Sequence, residues 1–397
     1  MFKEKNVLVM VSGSVAAYKS ATLVRLLIKS GAKVRVGMTS AAQEFITSKT
    51  LSILSGNDVL TDLFVGHTSD IVHIDWAKWA DIIFVVPATA NLIGKLAQGI
   101  ADDAVTTTIM ASTADKIIAP AMNDNMLENP AVVRNIETLK KDGWFVIEPV
   151  VGFLAEGYAA QGRLPEPVDI LQQSAVRLRA KDGLLIGKKI IITAGGTHEA
   201  LDPVRYLTNR SSGKMGYALA HAAVEMGAEV VLITTIARED IFGVKKIFVS
   251  SAQEMFDEAI HAFATADIFI SAAAVSDFKP AEKAMHKIKK QDDDGLTLNL
   301  VQNADILQTI GQSKKSHQIV IGFAAETQDL LAHGQDKLIK KHADMLIIND
   351  VSRSDTGFSS DDNAVTILIP GRLPETLSKA SKIDIARAIM TQVITLK

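Results

Sequence analysis

The sequence predicts an α/β protein of two successive domains, each built on a doubly wound parallel sheet. Three observations carry this. Short apolar, β-rich runs alternate with amphipathic helical patterns along the chain, and such alternation implies parallel βαβ units. The pattern starts twice: basic residues, an apolar strand, a glycine turn and a helix open the chain and recur at residues 187–196. The length, 397 residues, suits two or three domains.

In the first half, strands are predicted at residues 6–11, 33–39, 81–87 and 116–119. A helix over 21–30 places Leu23, Leu26 and Leu27 on one stripe, the spacing of a core-facing helix. The stretch 161–187 contains Pro165, Pro167 and Gly183 around a helix-like run at 168–180, so the domain boundary is placed near residue 186, giving domains 1–186 and 187–397. In the second half, strands are expected at 229–234, 246–249, 267–272, 318–323, 344–348 and 364–369. The polar tract 291–295 reads as a hairpin tip or a mobile loop.

Composition excludes several classes. Hydrophobic residues make up 48% and charged residues 22%, enough for two cores. The net charge of −3 advertises neither nucleic acid nor an anionic membrane. With no cysteine there is no disulfide framework and no thiolate metal site. The N-terminus runs directly into a strand without a long apolar segment. No apolar run of the roughly 18 residues that a membrane helix needs is free of charge. The expectation is a cytoplasmic protein.

The first candidate site lies at predicted strand ends. Gly13 and Ser14 follow the first strand and open a helix, where free amides receive an anion. Ser40 follows the second strand, and Ala88 and Thr89 a later one; such ends converge on the crevice where open α/β sheets bind ligands. This is not the G-x-G-x-x-G dinucleotide fingerprint. His73-Ile74-Asp75, Pro87-Ala88-Thr89-Ala90-Asn91 and Pro120-Ala121-Met122-Asn123-Asp124-Asn125-Met126 follow. Singly each has a bland reading: a structural histidine, a core methionine pair, a turn asparagine. Together and in this order they resemble the homo-oligomeric flavin-containing decarboxylases. The resemblance implies a flavodoxin/Rossmann-like, doubly wound flavoprotein domain, with FMN held by Gly13, Ser14, Ser40, Ala88 and Thr89. His73 would assist oxidation of the substrate thiol. Asn123 would hold the substrate carboxylate, and Met126 would belong to the clamp.

One position departs from that family. Its catalytic cysteine lies in the loop that reads here Leu-Ala-Glu-Gly-Tyr-Ala-Ala-Gln-Gly-Arg over residues 154–163, with Glu156 in the cysteine's place. In the implied reaction the thiol is oxidised to a thioaldehyde, carbon dioxide leaves, and an enethiolate is protonated by the cysteine. A carboxyl has a pKa about four units below that of a thiol, so Glu156 serves as an acid only if burial raises it. The alternatives are Tyr158 or water as donor, a domain that stops at the enethiol and is incomplete as a decarboxylase, or a solvated loop residue. A flavin-binding first half that serves mainly as a binding or regulatory subunit is a further reading.

The second site begins at Thr193-Ala194-Gly195-Gly196. Asn209-Arg210-Ser211-Ser212-Gly213-Lys214 looks superficially like a Walker loop but lacks its first glycine and the hydroxyl residue after the lysine. Residues 202–216 instead resemble the phosphopantothenate–cysteine ligases, as do Asp277, the Lys287-Ile288-Lys289-Lys290 run, residues 303–307, residues 322–327 and Asn349-Asp350-Val351. Alone, the lysine run is an ordinary solvated face; in a strand its alternation would put Lys287 and Lys289 on one side. The resemblance implies a Rossmann-like ligase domain that activates a carboxylate with CTP and passes the acyl group to cysteine. Asn209 would hold the acyl-cytidylate and Lys287 would contact the nucleotide. Ser271, Ala272, Ala273, Asp277, Ala304, Asp305, Ile306, Leu307, Phe323, Lys337 and Lys341 would form the CTP pocket. Arg205 suits a phosphate or carboxylate clamp through its bidentate fork, and Mg²⁺ is expected with a triphosphate. The whole chain then resembles bifunctional enzymes of coenzyme A synthesis. It implies 4′-phosphopantothenate, cysteine and CTP as small-molecule substrates, trimeric flavodomains with sites shared between neighbours, dimeric ligase domains, and from these a dodecamer.

Overall fold

The computed structural model describes residues 2–64, 71–289, 296–326, 330–350 and 360–396. The 291–295 tract, Lys290, Thr327 and Val351 lie outside these. The chain divides into two compact units, Met1–Leu178 and Arg179–Lys397.

The first unit contains β1 (Asn6–Val11), β2 (Lys33–Met38), β3 (Val59–Leu60), β4 (Ile82–Ala88), β5 (Asp115–Pro120) and β6 (Phe145–Val146), followed by a hairpin of β7 (Val150–Phe153) and β8 (Ala159–Arg163). The sheet order is β3-β2-β1-β4-β5-β6 and its pairs are parallel. This is the order of the dinucleotide-binding doubly wound fold, whose switch point falls between β1 and β4. Alternation along β1 explains the two-sided cover. Val7, Val9 and Val11 pack with Leu23 and Leu27 of helix Tyr18–Lys29. Leu8 and Met10 pack on the other face with Leu92, Ile93, Val105 and Ile109. All of these are buried, and each such side chain contributes about 1.5–3 kcal/mol.

The second unit contains β9 (Lys189–Ala194), β10 (His198–Ala200), β11 (Tyr206–Thr208), β12 (Glu229–Thr234), β13 (Val244–Phe248), β14 (Ile268–Ser271), β15 (Phe278–Pro280), β16 (Leu300–Gln302), β17 (Ile319–Glu326), β18 (Met345–Asp350), β19 (Asp362–Leu368) and β20 (Glu375–Ser381). Its main sheet runs β13-β12-β9-β14-β17-β18-β19-β20. It is parallel as far as β18; β19 and β20 then add antiparallel. The expected parallel sheet is therefore mixed, and a short turn at residues 369–374 returns the chain directly from β19 into β20. Ile191, Ile233, Phe269 and Val320 pack on Met255, Phe263 and Ile310. On the other side, helices Lys214–Glu225 and Lys382–Ile394 pack on each other, the first against β9 and β12 and the second against β19 and β20.

Gly216 lets the first of these helices close on β9. An added Cβ would lie 2.5 Å from the Ala194 Cβ and 3.1 Å from the Thr193 carbonyl. Gly216→Ala is expected to cost about 1–3 kcal/mol through overpacking. All three tryptophans, Trp76, Trp79 and Trp144, belong to the first unit. Urea unfolding followed by far-ultraviolet circular dichroism should shift, while the tryptophan-fluorescence transition stays in place. An unchanged dichroism curve would show that the helix relaxes without cost.

Candidate functional sites

At the switch point of the first unit, Ser12 is buried and its hydroxyl donates to the Pro87 carbonyl at 2.7 Å and accepts from the Thr89 amide at 2.9 Å. Thr89 in turn caps helix Ala90–Gln98. Gly13 meets the turn after β2: a Cβ there would sit 2.6 Å from that of Ala41. Ser14 caps the short turn Val15–Ala17. Gly13, Ala88 and Thr89 thus gather around the Ser12 anchor, and exposed Ser40 begins the turn Ser40–Glu44.

A neighbouring cavity of about 480 Å³ is lined by Ser14, Lys19, Met122, Asn123, Glu156 and the apolar Val15, Phe153 and Leu154, among others. The β7–β8 hairpin is bound to the Asn123 turn by backbone. The Met122 amide donates to the Gly162 carbonyl at 3.1 Å. Gly162 has φ +142°, and a Cβ there would lie 2.1 Å from the Met122 oxygen, so this contact requires glycine. Asn123 Nδ2 donates to Glu156 Oε1 at 3.0 Å and to the Tyr158 hydroxyl at 2.9 Å; that hydroxyl donates to Asp124 Oδ1 at 2.5 Å. The bond to Asp124 pushes the Tyr158 pKa above its ordinary value, against the opposing donation from Asn123. Glu156 is exposed. Met126 is 49% exposed on helix Asp124–Leu127. His73, half-buried on helix Val72–Trp79, does not line this cavity.

Lys19 is a contributor that sequence pattern did not reveal. It is buried, and its ammonium donates to the Leu164 carbonyl at 2.8 Å and to Glu166 at 2.9 Å. That contact holds the Glu166 carboxyl below the usual range. Its partners stand more than a hundred residues away in sequence. A partly apolar slot bordered by polar side chains such as Ser14 and Asn123 is a lining that suits a flavin ring.

In the second unit, two adjoining cavities of about 460 and 570 Å³ share Ala273, Val275, Asp277, Phe323 and Lys337. The first is floored by the turn carrying Asn209 and Gly213, and Ala272 also lines it. The second is lined by Ser271, Ala304, Asp305, Ile306, Leu307 and Lys341. Asn209 Nδ2 donates to the Val275 carbonyl at 3.0 Å. Asp305 caps helix Ile306–Ser313 through the Gln308 amide at 2.9 Å and pairs with Lys341. Asn349 lines the first cavity, and its Oδ1 is buried without a hydrogen-bond partner. Such an acceptor calls for a donor from a ligand. Buried Lys382 and Asn363 line this cavity too; nothing in their sequence setting signals a site.

Arg205 and Lys287 line neither cavity. The segments that carry them are joined through buried Asp202, whose Oδ1 accepts from the Val204 and Arg205 amides at 2.7 and 2.8 Å and whose Oδ2 accepts from the Ile288 amide at 3.1 Å. Arg205 Nη1 donates to the Ile288 carbonyl at 3.2 Å. No strand forms at residues 286–289, yet Lys287 and Lys289 are both exposed around half-buried Ile288. Burial works against ionised Asp202, but the amides of Val204, Ile288 and Arg205 outweigh it, and its pKa is held below the ordinary range.

Among the described residues no group of three or more His, Cys, Asp or Glu side chains converges as a metal site, and no helix is long and apolar enough to cross a membrane.

Comparison with known proteins adds the following. The Flavoprotein family model matches residues 1–179, and the DNA/pantothenate metabolism flavoprotein C-terminal domain matches residues 185–396. Coenzyme A biosynthesis bifunctional protein CoaBC of Bacillus subtilis (strain 168) is 45% identical over 400 residues, covering 100% of this chain and 98% of that one. Its counterpart in Vibrio cholerae serotype O1 is 42% identical over 389 residues, with 97% of each chain covered. A crystal structure of the C-terminal domain of Coenzyme A biosynthesis bifunctional protein CoaBC is similar over 54% of this chain and 97% of that one, at 37% identity and a TM-score of 0.46.

The Asp202 tether yields a test. Its folded-state pKa is depressed, so the tether is in place above the unfolded carboxyl value, about 3.9, and is lost as pH falls through the folded value. Asp202→Ala should therefore speed hydrogen exchange at the Val204, Arg205 and Ile288 amides already at neutral pH, a loss of protection the wild type shows only in strong acid. Unchanged exchange in the variant would mean that these amides find other acceptors.

Proposed function

Because the chain belongs to the bifunctional coenzyme A biosynthesis family, whose members are both phosphopantothenoylcysteine decarboxylases and phosphopantothenate–cysteine ligases, we propose that the two reactions are divided between its two units. The second unit joins 4′-phosphopantothenate to cysteine at the expense of CTP. The first decarboxylates the resulting 4′-phosphopantothenoylcysteine to 4′-phosphopantetheine with FMN. The observation that carries this reading is the gathering of Asn209, Ala272, Ala273, Asp277, Phe323 and Lys337 on one crevice at the sheet's switch point, continuous with the Ala304, Asp305, Ile306, Leu307 and Lys341 surface.

In the ligase unit the substrate carboxylate attacks the α-phosphorus of CTP, pyrophosphate leaves, and the amine of cysteine displaces CMP from the acyl-cytidylate. Asn209 holds the acyl-cytidylate; Phe323, Lys337, Lys341 and the start of helix Ile306–Ser313 receive the nucleotide. Arg205 and Lys287, joined through Asp202, act as one cationic arm on the phosphates. Mg²⁺ would enter with the triphosphate and neutralise part of its charge.

In the flavin unit, Gly13, Ser14, Ser40, Ala88 and Thr89 hold FMN at the strand ends and Met126 closes over the substrate. Bound flavin supplies the two-electron redox chemistry. Asn123 positions the substrate carboxylate, and its two side-chain partners bring Glu156 and Tyr158 to the same place. The Tyr158 phenol carries a proton at neutral pH, as a phenol does at its ordinary pKa of about 10. It is the proton donor to the enethiolate carbon in this reading, and Glu156 fixes the Asn123 carboxamide. His73, absent from the cavity of its own unit, reaches the reaction from a neighbouring subunit of a flavodomain trimer. Ligase dimers complete a dodecamer.

Purified protein supplied with 4′-phosphopantothenate, cysteine, CTP and Mg²⁺ should release pyrophosphate continuously only when all three substrates are present, with no more than one equivalent per site when cysteine is left out. A protein that releases none overturns the ligase reading. In the decarboxylase, Tyr158→Phe should still release carbon dioxide but accumulate the enethiol, with reduced product lowered at least tenfold. Glu156→Gln should keep forming reduced product. The opposite pattern would make Glu156 the acid.

A further inference from the structure

Asn123 carries the donor that the proposed decarboxylation gives to the substrate carboxylate, and that donor is already spent. A carboxamide nitrogen has two hydrogens. Nδ2 of Asn123 commits one to Glu156 Oε1 at 3.0 Å and the other to the Tyr158 hydroxyl at 2.9 Å. The carboxamide is kept from turning over, because its Oδ1 accepts from the Asn125 amide at 2.9 Å. A substrate carboxylate therefore reaches Asn123 only if one of the two partners leaves.

The partners are held unequally. The Tyr158 hydroxyl is bound on its far side to Asp124 Oδ1 at 2.5 Å, a short charge-assisted bond. Tyr158 does not line the cavity of about 480 Å³ that Asn123 borders, whereas Glu156 does. Among the described residues, Asn123 is the one hydrogen-bond partner of the Glu156 side chain. Glu156 sits at the hairpin tip, where the Gly157 amide donates to the Leu154 carbonyl at 3.1 Å and the Leu154 amide to the Tyr158 carbonyl at 2.9 Å. These backbone bonds close the tip without the Glu156 side chain, which is exposed and free to swing into solvent.

Chemistry makes Glu156 the partner that a substrate carboxylate displaces. Both groups are anions with two acceptor oxygens, and both call for the same N–H. Two carboxylates at one donor repel each other. A thiol at this position would bring no such conflict, since it is at most a weak acceptor and carries no charge.

We propose that Glu156 is an internal competitor for the carboxylate seat on Asn123: it occupies the Nδ2 hydrogen in the empty site and yields it to the substrate. Glu156 thereby sets the affinity for the carboxylate end of the substrate, and a ligand without that carboxylate is indifferent to it. The inference rests on the decarboxylase reading and deepens it. An exposed contact of this kind shifts an equilibrium by about two- to fivefold, and that is the effect to be read.

Two thioethers separate the seat from the rest of the site. S-methylated 4′-phosphopantothenoylcysteine keeps the carboxylate, S-methylated 4′-phosphopantetheine lacks it, and neither has a thiol to oxidise. Each is titrated into the FMN-loaded full-length protein and followed by flavin absorbance, which reports the flavin site. Glu156→Ala is expected to tighten the carboxylate-bearing thioether about two- to fivefold without tightening the other. Glu156→Gln, uncharged but still an acceptor, should tighten it by less. In an Asn123→Ala background the gain from Glu156→Ala should vanish. Unchanged or weaker binding of the carboxylate-bearing thioether to Glu156→Ala overturns the proposal. So does equal tightening of both ligands, which marks a looser hairpin, or a gain that survives in Asn123→Ala. A failure of the decarboxylase reading gives a separate result: neither thioether then perturbs the flavin of the wild type.

Discussion

Both crevices depend on buried hydroxyls at the ends of their central strands. In the first unit Ser12 both donates and accepts across the gap between β1 and β4. In the second, Thr193 accepts from the Ala273 amide at 3.2 Å and Thr197 from the Ser276 amide at 3.0 Å, while Thr235 donates to the Gly196 carbonyl at 2.8 Å. Parallel strands whose connections leave in opposite directions expose backbone amides and carbonyls at this point, and these need partners when buried. A side-chain hydroxyl supplies them without filling the crevice. Leaving one such amide unsatisfied costs about 1–3 kcal/mol, so the crevice floors are fixed by the same bonds that keep the strand ends from parting.

The central strands were legible because burial on both faces writes continuous apolar runs; the runs at residues 6–11 and 229–234 coincide with β1 and β12. Other strands were not. β20 reads Glu-Thr-Leu-Ser-Lys-Ala-Ser and is exposed at an antiparallel edge, so it carries no apolar signature. The β7–β8 hairpin is also largely exposed, and its role comes from backbone contact with Met122 rather than from a core. Of the site residues, those after glycine turns and strand ends were readable because the fold class fixes where strand ends lie. Lys19 and Lys382 were not, since each acts on partners or cavity walls contributed by remote segments, and a lone lysine at a helix start reads as an ordinary surface residue.

The loop lacking cysteine is held in place by interactions that do not involve residue 156. Gly162 and Met122 fix the hairpin's approach through backbone, and Tyr158 reaches Asp124 and Asn123 from the far side of the turn. The identity of residue 156 can therefore change without releasing the hairpin, although the Asn123 carboxamide would lose one of its two side-chain acceptors. The Tyr158 hydroxyl, two residues along, accepts from Asn123 and donates to Asp124 whatever stands at 156.

Net charge describes the chain poorly as a binding surface. The total is −3, yet the ligase crevice is walled by Lys214, Lys337, Lys340, Lys341 and Lys382. Acidic partners sit against some of them: Asp305 against Lys341 and Asp361 against Lys214. Pairs with such exposed carboxylates contribute only about 0–1 kcal/mol. A polyphosphate offers more acceptor oxygens and more charge to the same ammonium groups. A crevice rich in ammonium groups therefore coexists with a negative total charge because the compensating carboxylates are spread over the rest of the chain.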